Sequence, residues 1–586
     1  MLRLGSAACC FVAAVSVACN SSTPPVAHAP GIPPDAAVKS LADTYLSAYL
    51  DRYPEQGTYF GIQGRRHDKM SDNSLESLKA WEAREDAWLT EAQAIDGSKI
   101  TAGPLRATYA IVREALESSI SARVCRTELW TVSQTTGWHI SDGYLVTIQP
   151  VGTAEGRQDA LARWSALPKY LDTEIANLRE GVRLKYTAPR SNVRIVISQV
   201  DALIDGAASD SPFMSPATRD KDPAFGSAYA AMYKEQLVPA FKRYRDYLEK
   251  EYLPAAREDI AVAANPDGLA CYAASVRAFS SIPVAPRSVH EIGLQQIDML
   301  MSEMSAIGER TFHTKNIPAL MQALRADKQY LFKNRADLIA YSEAALARAK
   351  AAVPNWFGLL PKADVVVQPY PRYREKNASN EYNAPAEDGS RPGLFYIKAY
   401  QAETKPRSPA ESTAFHETIP GHHLQGAIAL ERKEIHPIGR YFGNSGYEEG
   451  WALYAERLAD ELKLFSSDVE RLGMLSDQQL RAVRLVVDSG IHTMGWTRKR
   501  AIEYMLAHTA EGERDAASEI DRYIIYPGQA ASYMLGNIEI RKARDAAEKS
   551  MGAKFDIKAF HDRVLEDGAV PLTFLKEKIE RWSSGK

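Results

Sequence analysis

The run Phe415-His416-Glu417-Thr418-Ile419-Pro420-Gly421-His422-His423-Leu424-Gln425 constrains the chain more than any other stretch. Three histidines and a glutamate fall within eight residues. Upstream, Ser408 suits an N-cap, Pro409 the first helical position and Glu411 the far side of a capping box, so the spacing predicts a helix beginning there. His416 and Glu417 then stand about two turns in. An unbroken helix would not gather the histidines. His416 and His422 would lie about 120° apart around the axis, and His416 and His423 about 10 Å apart along it. Pro420 resolves this. It has no N–H to donate and clashes with the carbonyl of residue 416, so the helix has to bend or bulge. Two residues looped out would return His422 to the place an i+4 histidine normally holds.

Downstream, Gly446-Tyr447-Glu448-Glu449-Gly450-Trp451-Ala452-Leu453-Tyr454-Ala455-Glu456 brings acidic residues onto a second helix. Imidazole nitrogens and one carboxylate oxygen are ordinary zinc ligands, and three protein ligands leave a fourth position for water. A glutamate beside such a site can take the proton that the water loses. Glu417 is placed for that part. Glu448 and Glu449 are neighbours and do not both face one ion from one helix. Glu456 shares the face of Glu449 and can hold a ligand histidine from behind.

HETIPGHHLQ followed by YEEGWALYAE resembles the bacterial DUF885 family, which is grouped with gluzincin-type metallopeptidases that carry HExGH. The resemblance covers most of the chain after its N-terminal linker. It implies that Gly421-His422 matches the Gly-His pair, so the ligands would be His416, His422 and Glu449, with His423 behind them. It also implies a mainly α, two-lobed fold with a small β-sheet beside the metal helix. Zn2+ would be the cofactor and oligopeptides the substrate. Related helical peptidases stabilise the oxyanion with a C-terminal tyrosine or histidine, and the residues that suit this are Tyr533 and His492. His492 also stands four residues from Asp488, a spacing that makes the two neighbours on a helix.

The 586 residues exceed what one compact core holds, so two lobes are expected. A net charge of −3 offers no basic excess for phosphates and argues against a nucleic-acid partner. Residues 1–19 have the form of a signal segment: Arg3, a short apolar run, then Val-Ser-Val-Ala-Cys ending at Cys19. This resembles a lipoprotein signal with Cys19 lipidated, and Ser16 leaves a plain secretory signal open. Residues 20–37 are a proline-rich tether. The expected location is therefore the periplasmic side of the outer membrane, held by the N-terminal lipid alone, or the soluble periplasm. Cys125 and Cys271 are the only other cysteines after Cys19, and form either a disulfide or two buried thiols.

Residues 38–354 are predicted to be a helical lobe. Leu105, Tyr109, Val112 and Leu116, and likewise Leu237, Phe241, Tyr244 and Leu248, recur at helical spacing and suit a core. Ser288 and Glu291 suggest a further capping box. Residues 355–586 form the expected metal-site lobe. Its runs 363–368 and 393–400 are β-branched and aromatic and are predicted strands, with residues 369–392 a long loop over the site. An edge strand there would hold an extended peptide by backbone bonds. Two functional classes follow. One is a zinc-dependent hydrolase of the cell envelope, foremost a metallopeptidase, with an amidase or esterase as the variant chemistry. The other is an inactive helical binding or scaffold protein. Glu417 favours the first, because a structural site needs no free carboxylate beside a ligand.

Overall fold

The computed structural model describes residues 32–585 except 63, 376–378, 388 and 390. The expected signal segment and most of the tether lie outside the described residues. The first helix, Pro34–Arg52, begins inside the last part of the expected tether. The fold is mainly α with one small sheet. No helix among the described residues is long and apolar enough to cross a membrane.

Burial divides the interior into two clusters, and neither is one continuous stretch of chain. One gathers residues from Cys125 to Leu324 and from Leu472 to Leu535. The other gathers Ala37 to Leu116, Phe332 to Leu464 and Ile540 to Ile579. The stripes at Val112 and Leu116 and at Leu237, Phe241, Tyr244 and Leu248 are buried in these clusters, as their periodicity requires. Cys125 and Cys271 are joined in a disulfide, which decides between the two readings.

Helix α1 (Pro286–Phe312) starts two residues before Ser288, capped by no side chain, so the Ser288 capping box does not form. Proline at the first position fixes the helical φ in its place. Helix α2 (Ile317–Ala326) follows, capped by Asn316. Strands β1 (Val365–Pro369), β2 (Glu381–Asn383) and β3 (Gly393–Ile397) form a sheet in the order β1-β3-β2. β1 runs parallel to β3, with Val365 opposite Gly393, and β2 is antiparallel to β3, with Glu381 opposite Tyr396. The expected 369–392 loop thus supplies an edge strand.

The site is carried by helices α3 (Ala410–Glu417), α4 (His422–Glu431), α5 (Ser445–Glu461), α6 (Asp468–Met494), α7 (Arg498–His508) and α8 (Gln529–Met551). α6 is buried on nearly all sides, Glu470, Gln478, Arg484 and Asp488 included, as a helix enclosed by others is. α5 and α8 touch backbone to backbone. A Cβ on Gly450 would stand 2.5 Å from the carbonyl carbon of Gly536, and one on Gly536 would stand 1.7 Å from the carbonyl oxygen of Gly446. Only glycine permits that approach. It fixes the height at which α5 presents its acidic residues. α8 also ties the two interiors together, with Met534 and Leu535 in one cluster and Ile540 and Ala543 in the other.

Candidate metal centre

The metal helix begins differently from the expected capping box. Pro409 is the N-cap, in helical conformation, and Ser408 makes no cap bond. The backbone of Ser408 packs instead against Gly473 of α6, where a Cβ would meet its oxygen at 1.8 Å. Glu411 turns inward. It is fully buried, pairs with Arg348 at 2.5 Å and accepts the Ser466 N–H at 2.8 Å. A buried carboxylate needs such partners more than a helix end needs a capping box.

α3 stops at Glu417 and α4 restarts at His422, so Pro420 breaks the helix outright. The Ile419–Pro420 peptide is cis. The Thr418 N–H still bonds the Ala414 carbonyl at 3.0 Å, while the Gly421 N–H reaches back to the Phe415 carbonyl at 3.0 Å. At Gly421 a Cβ would come within 1.9 Å of the His416 carbonyl oxygen, so only glycine fits the return. Trp451 of α5 donates its indole N–H to the Pro420 carbonyl at 2.9 Å and locks the break against the second helix.

The break brings His416, His422 and Glu449 together. Nε2 of His416 is 3.5 Å from Oε2 of Glu449, and Nε2 of His422 is 3.6 Å from the same oxygen. One ligand atom from each of the three lies within 4.8 Å of the others. The imidazole planes stand at 90°, so each points its nitrogen inward by a different route. Around a tetrahedral ion with bonds of ~2.1 Å, neighbouring ligand atoms are about 3.4 Å apart. The two nitrogen–oxygen separations, 3.5 and 3.6 Å, match that spacing, and the donor set is one that zinc accepts.

Charge supports the same fit. Burial works against a proton on His416, but the bonds to Glu449 and Glu456 outweigh it and hold the imidazole up to about 10. Burial opposes ionisation of Glu449 too, yet His416 and His422 hold its carboxyl well below the usual carboxylate range. The cluster is therefore built around positive charge. Nδ1 of His416 donates to Oε1 of Glu456 at 2.8 Å, and Gln478 donates to the other oxygen of Glu456 at 2.6 Å. This fixes the tautomer that leaves Nε2 facing Glu449.

A cleft of about 560 Å³ opens beside the cluster, lined by Glu417, Glu448, Arg481, Arg484 and Tyr533 among others. It lies where the two interiors meet, with α3 to α5 on one side and α6 and α8 on the other. Burial raises the Tyr533 phenol, and the charge of Glu449 adds to this against the pull of Arg484. The phenol thus keeps its proton at neutral pH and can donate. The Arg484 guanidinium lies 4.6 Å from the Tyr533 ring centroid and is itself tied to Tyr523 and Glu519, both at 2.9 Å. Glu448 lines the cleft without joining the cluster, and burial together with the Glu449 charge lifts it to about 7. The edge strand β2 borders the cleft through Glu381 and Tyr382.

Two expectations are corrected. His492 does not reach the cleft. Its Nδ1 accepts the Val262 N–H at 3.0 Å and its Nε2 donates to the Tyr523 carbonyl at 3.0 Å. Asp488, four residues away, stands 3.8 Å off and serves the Tyr272 hydroxyl at 2.8 Å instead. His492 is a structural residue of the α6 interior. His423 also faces away from the cluster: Nδ1 accepts from the Tyr382 hydroxyl at 3.1 Å and Nε2 donates to the Ala363 carbonyl at 3.0 Å. It fastens α4 to the sheet. Arg484, Gln478 and Tyr382 had no signal of a site role in the sequence, because what places them is contact between distant segments; Glu448 was visible only as the neighbour of Glu449.

The fold has solved relatives. A chain described as a candidate lipoprotein from Colwellia psychrerythraea superposes with a TM-score of 0.86 at 26% identity, covering 94% of this chain and 100% of its own. A second, described as a candidate lipoprotein of unknown function from Shewanella oneidensis, superposes at 0.76 and 16% identity, covering 92% and 99%, and shares the fold. No curated protein matches the chain. The family described as bacterial protein of unknown function, DUF885, matches residues 54–579, and the chain belongs to it.

Proposed function

We propose that the protein is a zinc-dependent hydrolase of the cell envelope that cleaves oligopeptides. The observation that carries this reading is the convergence of His416, His422 and Glu449 on one point, with Glu417 in the same cleft. A zinc ion held there supplies Lewis-acid chemistry and makes a nearby water acidic. The protein's own residues supply the rest. Glu456 orients His416 through Nδ1. Glu417 takes a proton from the attacking water and returns it to the leaving amine. Tyr533 donates a hydrogen bond to the carbonyl oxygen as charge builds on it. The edge strand β2 bounds the cleft and offers backbone groups to an extended substrate. For location, the Cys19 signal pattern and the similarity to a chain described as a candidate lipoprotein support export with a lipid anchor.

The test is a mixed peptide library incubated with zinc-loaded protein and read by mass spectrometry, beside Glu417→Gln. Cleavage products made by the wild type and absent with the variant are expected. A folded, zinc-loaded wild type that leaves the library intact overturns the peptidase reading.

A further inference from the structure

Three arginines line the metal cleft: Arg440, Arg481 and Arg484. Two of them have a carboxylate partner, Arg440 with Glu387 at 2.6 Å and Arg484 with Glu519 at 2.9 Å. Arg481 of α6 has none in hydrogen-bond reach. Its nearest carboxylate oxygen among the described residues, on Asp477, is 3.9 Å away. Burial lifts the Asp477 carboxyl to about 7 even against the pull of Arg481, so it carries only part of a charge at neutral pH. The guanidinium donates to the Asp477 backbone carbonyl at 3.2 Å, and its Nε is closed in without a partner. The side chain as a whole is 17% exposed and lines the cleft.

A guanidinium keeps its charge at any pH the fold survives, and holding it in a recess without an anion costs free energy. The acids of the cleft do not supply that anion. Glu449 is held by His416 and His422, and Glu448 is lifted to about 7. A carboxylate from outside would complete Arg481, accepting two parallel N–H bonds from the guanidinium fork. α6 also sets where such a group lies. Gln478, which braces Glu456 behind His416, stands three residues before Arg481, about 4.5 Å along the axis and about 60° around it. Arg481 and the metal cluster thus open on one cleft of about 560 Å³, a space that takes a short peptide.

We propose that Arg481 sets the substrate preference of the metal cleft by pairing with a carboxylate of the peptide, either its C-terminus or an acidic side chain beside the bond that is cut. Its use in catalysis rests on the hydrolase reading above; the pairing itself is tested by binding alone.

The test is calorimetric titration of the full-length, zinc-loaded Glu417→Gln chain, in which the probes are not consumed. The probes are benzoylglycyl-phenylalanine, its C-terminal amide, and benzoylglycyl-glutamate blocked as the C-terminal amide. One of the two carboxylate probes is expected to bind about 10–100-fold more tightly than the neutral one, the worth of a hydrogen bond to a charged group. Whichever binds more tightly names the source of the carboxylate. Arg481→Met in the same background should keep its zinc and bind all three alike, and Arg481→Lys should recover part of the preference. Equal binding of the three by the chain with Arg481, or saturable binding of none, overturns the pairing. So does an Arg481→Met chain that keeps the preference, since zinc or Arg484 would then hold the carboxylate. Should Arg481→Met not fold, Arg481→Lys decides, because it keeps a charge without the fork, and an undiminished preference there overturns the assignment. A carboxylate preference in a chain that cleaves no peptide would leave this pairing standing while the hydrolase reading falls; cleavage without the preference would do the reverse.

Discussion

His416 and His492 occupy matching situations in different parts of the molecule. Each is buried in a helix, and each has a carboxylate close by, Glu456 at 2.8 Å and Asp488 at 3.8 Å. They differ in what their ring nitrogens meet. His416 gives one nitrogen to Glu456 and turns the other toward Glu449 and His422. His492 spends both on backbone groups, and its burial lowers it to about 4. The first keeps Nε2 turned into the cluster, while the second is a neutral crosslink with both nitrogens spent. Whether a buried histidine belongs to a reactive site is thus decided by its second nitrogen, and a nearby carboxylate alone is poor evidence.

The largest effect expected from this contrast is on turnover. Glu417→Gln removes the proton acceptor but no ligand, so peptide hydrolysis should fall by about 10²–10⁴ with zinc content unchanged. Hydrolysis retained at the wild-type rate would end the role assigned to Glu417. Next comes Glu456→Ala, which leaves the three ligands and frees the His416 ring. Zinc affinity measured against a competing chelator should weaken about 10–100-fold. An unchanged affinity would mean that the Glu456 bond does nothing for the metal.

A smaller effect concerns the histidine that is spent on backbone. The folded pKa of His492 is about 4, below the usual 6.5. The unfolded chain therefore takes up the proton first as pH falls. The stability that His492 contributes is complete above pH 6.5 and is lost as pH drops toward 4, at up to about 1.4 kcal/mol per pH unit. Urea unfolding of zinc-free protein at pH 7 and pH 5 should show this slope, and His492→Gln should be less steep. Identical slopes would show that His492 is not held neutral. The smallest effect is expected from Tyr382→Phe, which removes one bond to His423. A loss of about 1 kcal/mol in unfolding free energy with full zinc binding is the predicted result; loss of zinc would put His423 back among the metal's partners.

The helices and the two main strands were legible because their periodicity is local. So was a distortion at Pro420-Gly421, since a proline in a helical pattern forces one; the expected bulge within one helix is instead a full break between Glu417 and His422. The pairing of β1 with β3 in parallel, with β2 drawn from the loop between them, was not, because strand order depends on contacts that no local pattern encodes. The same limit explains the site. His416, Glu417 and His422 sit in one short run, and Glu449 follows in a second, so their chemistry is visible in order. Asp488 and His492 also look paired in sequence, but Tyr272, Val262, Tyr523 and Gly528 come from other segments and take both partners. Arg484 reaches the cleft only because α6 and α8 cross there.

The adjacent histidines offer the most direct test of the metal centre. His422 faces the cluster and His423 the sheet, so zinc bound per chain, measured after dialysis of folded His422→Ala and His423→Ala proteins, separates them. The proposed ligand set predicts about one zinc per chain for the wild type and for His423→Ala, and loss of tight binding for His422→Ala. If His423→Ala loses the metal while His422→Ala keeps it, the ligand set described here is wrong.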